Sequence, residues 1–139
     1  MRIVIILIIV VLIVGGAAAY YFLNEGQSDQ ETVYSNIGES DYRAVESDLG
    51  GEIDNLSPTP PTEKDWIVTD IEFAKNSNLA YVTYHDTHNI FRLLLDIHKT
   101  DGKYYYQVKA TFEQGQNGWK KKFGEDVAAG RELIKISVN

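Results

Sequence analysis

The feature that most constrains this chain is an uninterrupted apolar segment at residues 3–23. Its 21 residues carry no charge, and residues 3–14 consist only of Ile, Val and Leu. A helix of this length rises about 31 Å, which matches the roughly 30 Å hydrocarbon core of a bilayer. The aromatic residues at 20–22 fall at its C-terminal end, where interfacial aromatic side chains are typical. We therefore expect a transmembrane signal-anchor helix over residues 1–23.

A cleaved secretory signal is the alternative interpretation of the same segment. Residues 17–19 are three alanines, and the 12-residue apolar core has the length of a signal peptide. Cleavage after Ala19 would release a secreted or periplasmic ligand-binding protein. The apolar run continues past the alanines, which favours the anchor. Arg2 precedes the segment and the next basic residue is Arg43, so the positive-inside rule places the N-terminus in the cytoplasm and the rest of the chain outside.

The next stretch, residues 24–61, is strongly acidic. It holds nine carboxylates against Arg43 alone, a net charge of −8, and we expect most of it to be a solvated linker. Apolar residues at a spacing of three to four predict a short helix over residues 41–49, with the glycines at 50 and 51 as its stop signal. A stalk with incidental apolar residues is the alternative, and the sequence leaves open whether residues 33–56 fold with the domain.

Residues 62–139 predict a small antiparallel β-meander, and thus an α+β fold of four to five strands with one apolar face. They contain eleven acidic and eleven basic residues and are neutral overall. The Asp101-Gly102 dipeptide is a strong hairpin signal. Residues 119–129 are expected to be helical or irregular, and helices at 41–49 and 119–129 are expected to cover the apolar face. The alternating patterns predict strands at 66–74, 79–84, 90–98, 104–112 and 132–138.

This order of elements, a helix followed by an antiparallel meander, resembles that of cystatin-like and NTF2-like folds. The likeness is confined to element order, without a shared motif. It implies a non-enzymatic α+β module that packs a helix in a curved sheet.

Several function classes are disfavoured by composition and motifs. The chain has no cysteine, which removes disulfides, thiolate metal sites and cysteine nucleophiles. The neutral C-terminal region has no field to steer a polyanion, so we expect no nucleic-acid partner. His85 and His88 lie in a turn and lack the helical spacing of a zinc-hydrolase motif. No Gly-x-Ser-x-Gly elbow is present. We expect no catalytic residues, no metal and no cofactor.

The remaining expectation is a binding or scaffolding role outside the cytoplasm. On a strand the side chain of Tyr105 points away from those of Tyr104 and Tyr106, on the same side as that of Lys109, which suggests a platform for a peptide or glycan. Three lysines between Trp119 and Phe123 suggest contact with anionic headgroups or an acidic partner, including the acidic linker itself. The expected partners are the bilayer, through residues 3–23, and an unknown extracytoplasmic protein or glycan. The predicted ligand-binding residues are Tyr105, Lys109, Trp119, Lys120, Lys121 and Lys122.

Overall fold

A computed structural model describes residues 35–62 and 65–138 of the 139-residue chain. These residues belong to one compact unit, Val33–Asn139. The predicted anchor at 3–23 lies outside the described residues. Within the described part of the chain, no helix is both long and apolar enough to cross a membrane.

The structure contains the predicted helix, but in a longer form. A short 3₁₀ turn at Glu39–Asp41 leads into α1, Tyr42–Leu56. The buried side chains of α1 recur at a spacing of three to four: Tyr42, Val45, Leu49 and Ile53. The prediction that the glycines at 50 and 51 end the helix is wrong. Each glycine costs α1 about 1 kcal/mol relative to alanine, and the burial of Leu49 and Ile53 on either side offsets that cost.

The sheet is antiparallel with six strands, one or two more than predicted, in the order β5-β4-β3-β2-β1-β6. The added strand, Gly118–Gly124, lies in the stretch expected to be helical or irregular. Its three consecutive lysines interrupt the alternation of apolar and polar residues by which a strand is recognised in a sequence. The strands are β1 Ile67–Ala74, β2 Leu79–His85, β3 Ile90–Thr100, β4 Lys103–Gly115, β5 Gly118–Gly124 and β6 Leu133–Ser137.

The main core lies between α1 and one face of the sheet. The Tyr42 ring stacks on Phe73 of β1, with ring centroids 3.8 Å apart and planes 8° from parallel. Strand β3 contributes fully buried Leu93, Leu95 and Ile97. The sequence left open whether residues 33–56 fold with the domain, and the structure packs α1 into its core. The helix has to cover this face because no other described element does so.

The opposite face of the sheet carries a second apolar cluster, which we call the far-face cluster. It consists of Ala74, Leu79, Tyr81, Leu94, Ala110, Phe112 and Ala128, with Trp119 packed against it. The expectation of one apolar face is therefore wrong. A register shift opposite Leu94 and Leu95 interrupts the alternation of β4. Beyond this bulge, Ala110 and Phe112 face away from α1, although Tyr104 and Tyr106 face toward it.

Candidate functional site

An open groove of about 830 Å³, here called the α1–β4 groove, lies on the surface of the described domain. Its volume lies within the range of small-ligand sites. One wall is α1, and the other is the start of β4 with the turn before it. The lining residues are Ala44, Ser47, Asp48, Glu52, Leu56, Gly102, Lys103, Tyr104, Tyr105 and Tyr106.

Two of the five residues that α1 contributes to the groove lining have small side chains, Ala44 and Ser47. Ala44 and Ser47 lie one turn apart on α1 and are exposed. At Gly51, an added Cβ would meet no atom within 4 Å. The apolar side chains of α1 point instead into the core. The flank of the helix beside β4 therefore leaves room for a guest.

Two tyrosine hydroxyls join the β4 wall to carboxylates of the helical side. Tyr106 donates a hydrogen bond of 2.6 Å to Asp48, and Tyr104 donates one of 3.0 Å to Asp41. Burial, followed by the hydrogen bond to Asp48, raises the pKa of the Tyr106 phenol far above its ordinary value. Burial, followed by the hydrogen bond to Asp41, raises that of Tyr104. Both phenols remain protonated donors, so their rings are held in place along the groove.

The groove carries a net negative charge. Asp48 and Glu52 line it one turn apart on α1, and Lys103 is the basic residue among its lining side chains. The partners of the two carboxylates are neutral donors, because Asp48 accepts from Tyr106 and Glu52 accepts from Asn55 at 3.2 Å. Carboxylates beside aromatic rings favour a guest with an ammonium or guanidinium group.

The structure places the predicted ligand-binding residues Tyr105 and Trp119 far apart. Tyr105 is half exposed and borders the α1–β4 groove as well as a smaller pocket of about 330 Å³ beside His98 and Gln107. Lys109 lies on the same strand, 3.5 Å from Asp96, and also donates to Gln107. Trp119 pairs with Gln114, nine residues beyond Tyr105 on β4, a distance of about 30 Å. Tyr105 and Trp119 therefore do not line one small-ligand site.

Trp119 belongs to the far face, where it covers an arginine. The Arg92 guanidinium carbon lies 4.4 Å from the Trp119 ring centroid and 5.2 Å from that of Tyr81. Arg92 also forms an ion pair of 2.7 Å with Glu72. Trp119 and Phe123 both lie on β5, but only Trp119 packs against the sheet, because Phe123 is 71% exposed.

The lysines at 120–122 lie on β5, at one edge of the sheet. Lys122 forms an ion pair of 2.9 Å with Glu113 of the neighbouring strand. The acidic linker was one suggested partner for these lysines. Of the described acids in that segment, Asp41 forms an ion pair with Lys99 and Glu46 forms one with Arg43.

The turn that carries His85 and His88 is organised by a buried aspartate. Asp86 accepts hydrogen bonds from the backbone N–H groups of Thr62, His88 and Asn89, at 2.7 to 2.9 Å. These bonds lower the pKa of its carboxyl far below the ordinary value. Among the described residues, no three His, Cys, Asp or Glu side chains come together as a metal-binding group. The turn thus joins the segment after α1 to the sheet.

Sequence reasoning missed the residues that line the α1–β4 groove, apart from Tyr105. Asp48 and Glu52 show the i, i+4 spacing of one helix flank, and Tyr104 and Tyr106 show strand alternation. Both patterns are visible in the sequence, but only the packing of α1 beside β4 brings them together. Comparisons with protein-family models, with curated proteins and with solved structures found no match to this chain.

Proposed function

We propose that this chain is a single-pass membrane protein that holds a non-catalytic binding domain outside the cytoplasm. Residues 3–23 form the anchor, on the length and charge arguments of the sequence. The domain binds its partner in the α1–β4 groove. The observation that carries the binding role is this groove of about 830 Å³, with phenol rings on one wall and carboxylates on the other.

The proposed guest is a lysine- or arginine-bearing segment of an extracytoplasmic protein. Asp48 and Glu52 supply the charge, and Tyr104 and Tyr106 supply ring edges and faces for the cationic head and its aliphatic stem. The groove is open along its length, which suits an extended segment better than an enclosed small molecule. A neutral glycan would contact the rings and leave the two carboxylates without a cationic partner.

The binding role is tested with the full chain in detergent micelles and with oligolysine and oligoarginine peptides as probes. Calorimetric titration should show binding that weakens about 5-fold or more in Glu52→Gln, since one charge-assisted contact is lost. Asp48→Asn should have a similar effect. Asp54→Asn is the matched control, because this exposed carboxylate lies on the same helix and outside the groove lining. Equal loss in all three variants, or tighter binding of neutral oligosaccharides, would overturn the assignment.

The membrane role is tested separately, by the intact mass of the protein in membrane and soluble fractions of an expressing cell. Full-length mass in a pellet that resists alkaline carbonate extraction is the expected result. A soluble species that begins at Tyr20 would replace the anchor by a cleaved signal. In that case the domain is a secreted or periplasmic binding protein, and the groove experiment still applies to it.

A further inference from the structure

Strand β5 exposes both lysines and an aromatic side chain. Protection of the sheet edge against pairing with another chain accounts for the lysines only. Lysines on an edge strand commonly block pairing with another chain. Phe123 has the opposite character, because it is 71% exposed and directly follows the three lysines. An exposed aromatic ring on an unprotected edge would add to the risk of association. The lysines and the exposed Phe123 ring together fit a partner that binds both positive charge and an aromatic side chain.

The pairing of β5 with β4 places Lys120 and Phe123 on one face of this sheet edge, beside Glu113 and Thr111, and Lys121 on the other face, beside Phe112. A register shift between Thr111 and Phe112 leaves Lys122 as an extra residue between the paired positions Lys121 and Phe123. Such a bulge breaks strict alternation and re-aims neighbouring side chains. Lys120 and Lys121 form no ion pair within the described part of the chain, and Lys122 shares its charge with Glu113. Glu113 on β4 and Glu125 and Asp126 after β5 equal the three lysines in number; Glu113 pairs with Lys122, and Asp126 accepts a hydrogen bond from Tyr81.

We infer that β5 docks on the anionic headgroups of a lipid bilayer, with the lysines at the phosphate level and the Phe123 ring in the interface. Basic residues next to an exposed aromatic are the pattern of segments that lie on membranes. This inference rests on the proposed anchoring for its strength. Eleven residues, 24–34, separate the proposed span from Ser35, so the tether reaches at most about 40 Å. Because the tether keeps the domain close to the bilayer, its effective concentration there is high, and contacts from a few lysines are sufficient for docking.

The absence of cysteine makes a site-specific test direct. Phe123→Cys in the full chain is labelled with a polarity-sensitive fluorophore, and the protein is reconstituted into vesicles of neutral lipid or of neutral lipid with about one-third anionic lipid. We expect blue-shifted, brighter emission in the anionic vesicles only, reversed by high salt. A label at Ser137→Cys on the opposite edge strand, β6, should report no change.

Charge variants then identify the contact. Lys120→Gln with Lys121→Gln should lower the ratio of docked to undocked domain on the order of 10-fold, because each lysine near an anionic surface adds to binding. The matched control is Lys75→Gln with Lys135→Gln, two exposed lysines at the β1–β6 side of the sheet. Equal emission in neutral and anionic vesicles, or equal loss in both double variants, would overturn the inference. A larger shift with heparin in the absence of lipid would assign β5 to a polyanion instead.

Failure of the anchor is distinguishable from failure of the docking. Alkaline carbonate extraction of the same vesicles reports anchoring and is independent of β5. If the chain is extracted, the labelled protein is added to preformed vesicles at low salt. A blue shift with anionic vesicles then supports docking without an anchor, and its absence overturns docking.

Discussion

The ammonium group of Lys99 lies 2.5 Å from Asp41 Oδ1, at the point where β3 meets the start of α1. The same carboxylate accepts hydrogen bonds from the Gly38 backbone N–H and the Tyr104 hydroxyl, both at 3.0 Å. The Lys99 contact, followed by the Gly38 bond, lowers the pKa of Asp41. Asp41 therefore joins three segments: the approach to the helix, β3 and β4.

Replacement of Asp41 tests this junction. Asp41→Ala should lower the free energy of unfolding by about 1–3 kcal/mol, because it leaves the Lys99 and Tyr104 groups without their shared acceptor. Urea denaturation followed by circular dichroism measures the change. Asp54→Ala removes an exposed carboxylate of α1 and should stay within about 0.5 kcal/mol. Similar losses in the two variants would show that the junction adds nothing beyond helix charge.

The hydrogen bonds of Asp86 predict how the stability of the domain changes at acid pH. Its pKa is lower in the folded than in the unfolded state, since three backbone N–H groups bind the charged form. Its contribution is therefore fully present above the unfolded value, about pH 4, and is lost as the pH falls below it. Asp86→Asn should lower Tm at pH 7, and the difference from wild type should shrink toward pH 2. A pH series of thermal melts checks this; a difference that is constant with pH would contradict it.

Two glycines with the same φ allow the cost of backbone strain to be separated from that of a steric clash, by comparison of their alanine variants. Gly124 and Gly130 both have φ +77°. At Gly124 an added Cβ would lie 1.9 Å from the Lys109 carbonyl oxygen, whereas at Gly130 it would meet no atom within 4 Å. Gly130→Ala should cost about 1–2 kcal/mol of unfolding free energy from strain. Gly124→Ala should cost distinctly more and loosen β5, which urea denaturation and hydrogen exchange of residues 118–124 measure. Equal costs would show that β5 lies farther from β4 than described.

The stacking of Arg92 on Trp119 is expected to stabilise the far face. Trp119→Ala should lower the free energy of unfolding by about 1–3 kcal/mol, through lost apolar burial and a lost cation–π contact. Trp119→Phe keeps a ring and should lose less. Chemical denaturation followed by circular dichroism compares the two. An equal loss in both variants would indicate that the indole makes no specific contact.

Local patterns predicted the β3–β4 hairpin and the existence of α1. Asp101 and Gly102 have positive φ values of 52° and 77°, as the Asp-Gly turn signal requires. The three-to-four spacing of Val45, Leu49 and Ile53 identified the helix, because its period matches one buried face. These features depend on residues close together in the chain.

The features that the sequence did not predict depend on packing between segments that are far apart in the chain. The bulge opposite Leu94 and Leu95 moves Ala110 and Phe112 to the other face, and nothing in the local alternation announces it. The α1–β4 groove needs Asp48 and Tyr106 to meet across 58 residues of chain. The spacing of residues on one element carries no information about which other element lies beside it.

The pairing of β6 with β1 has a consequence for how this domain folds. Phe73 pairs with Ile134, about 60 residues further along the chain, while β1 pairs with β2 across a short turn. The hairpins therefore form early, and closure of the longest loop comes last, which slows folding to the millisecond-to-second range of sheets with distant contacts. Until then, β1 presents an unpaired ladder of backbone groups. The interval before β6 arrives is when neighbouring chains are most prone to aggregate edge to edge.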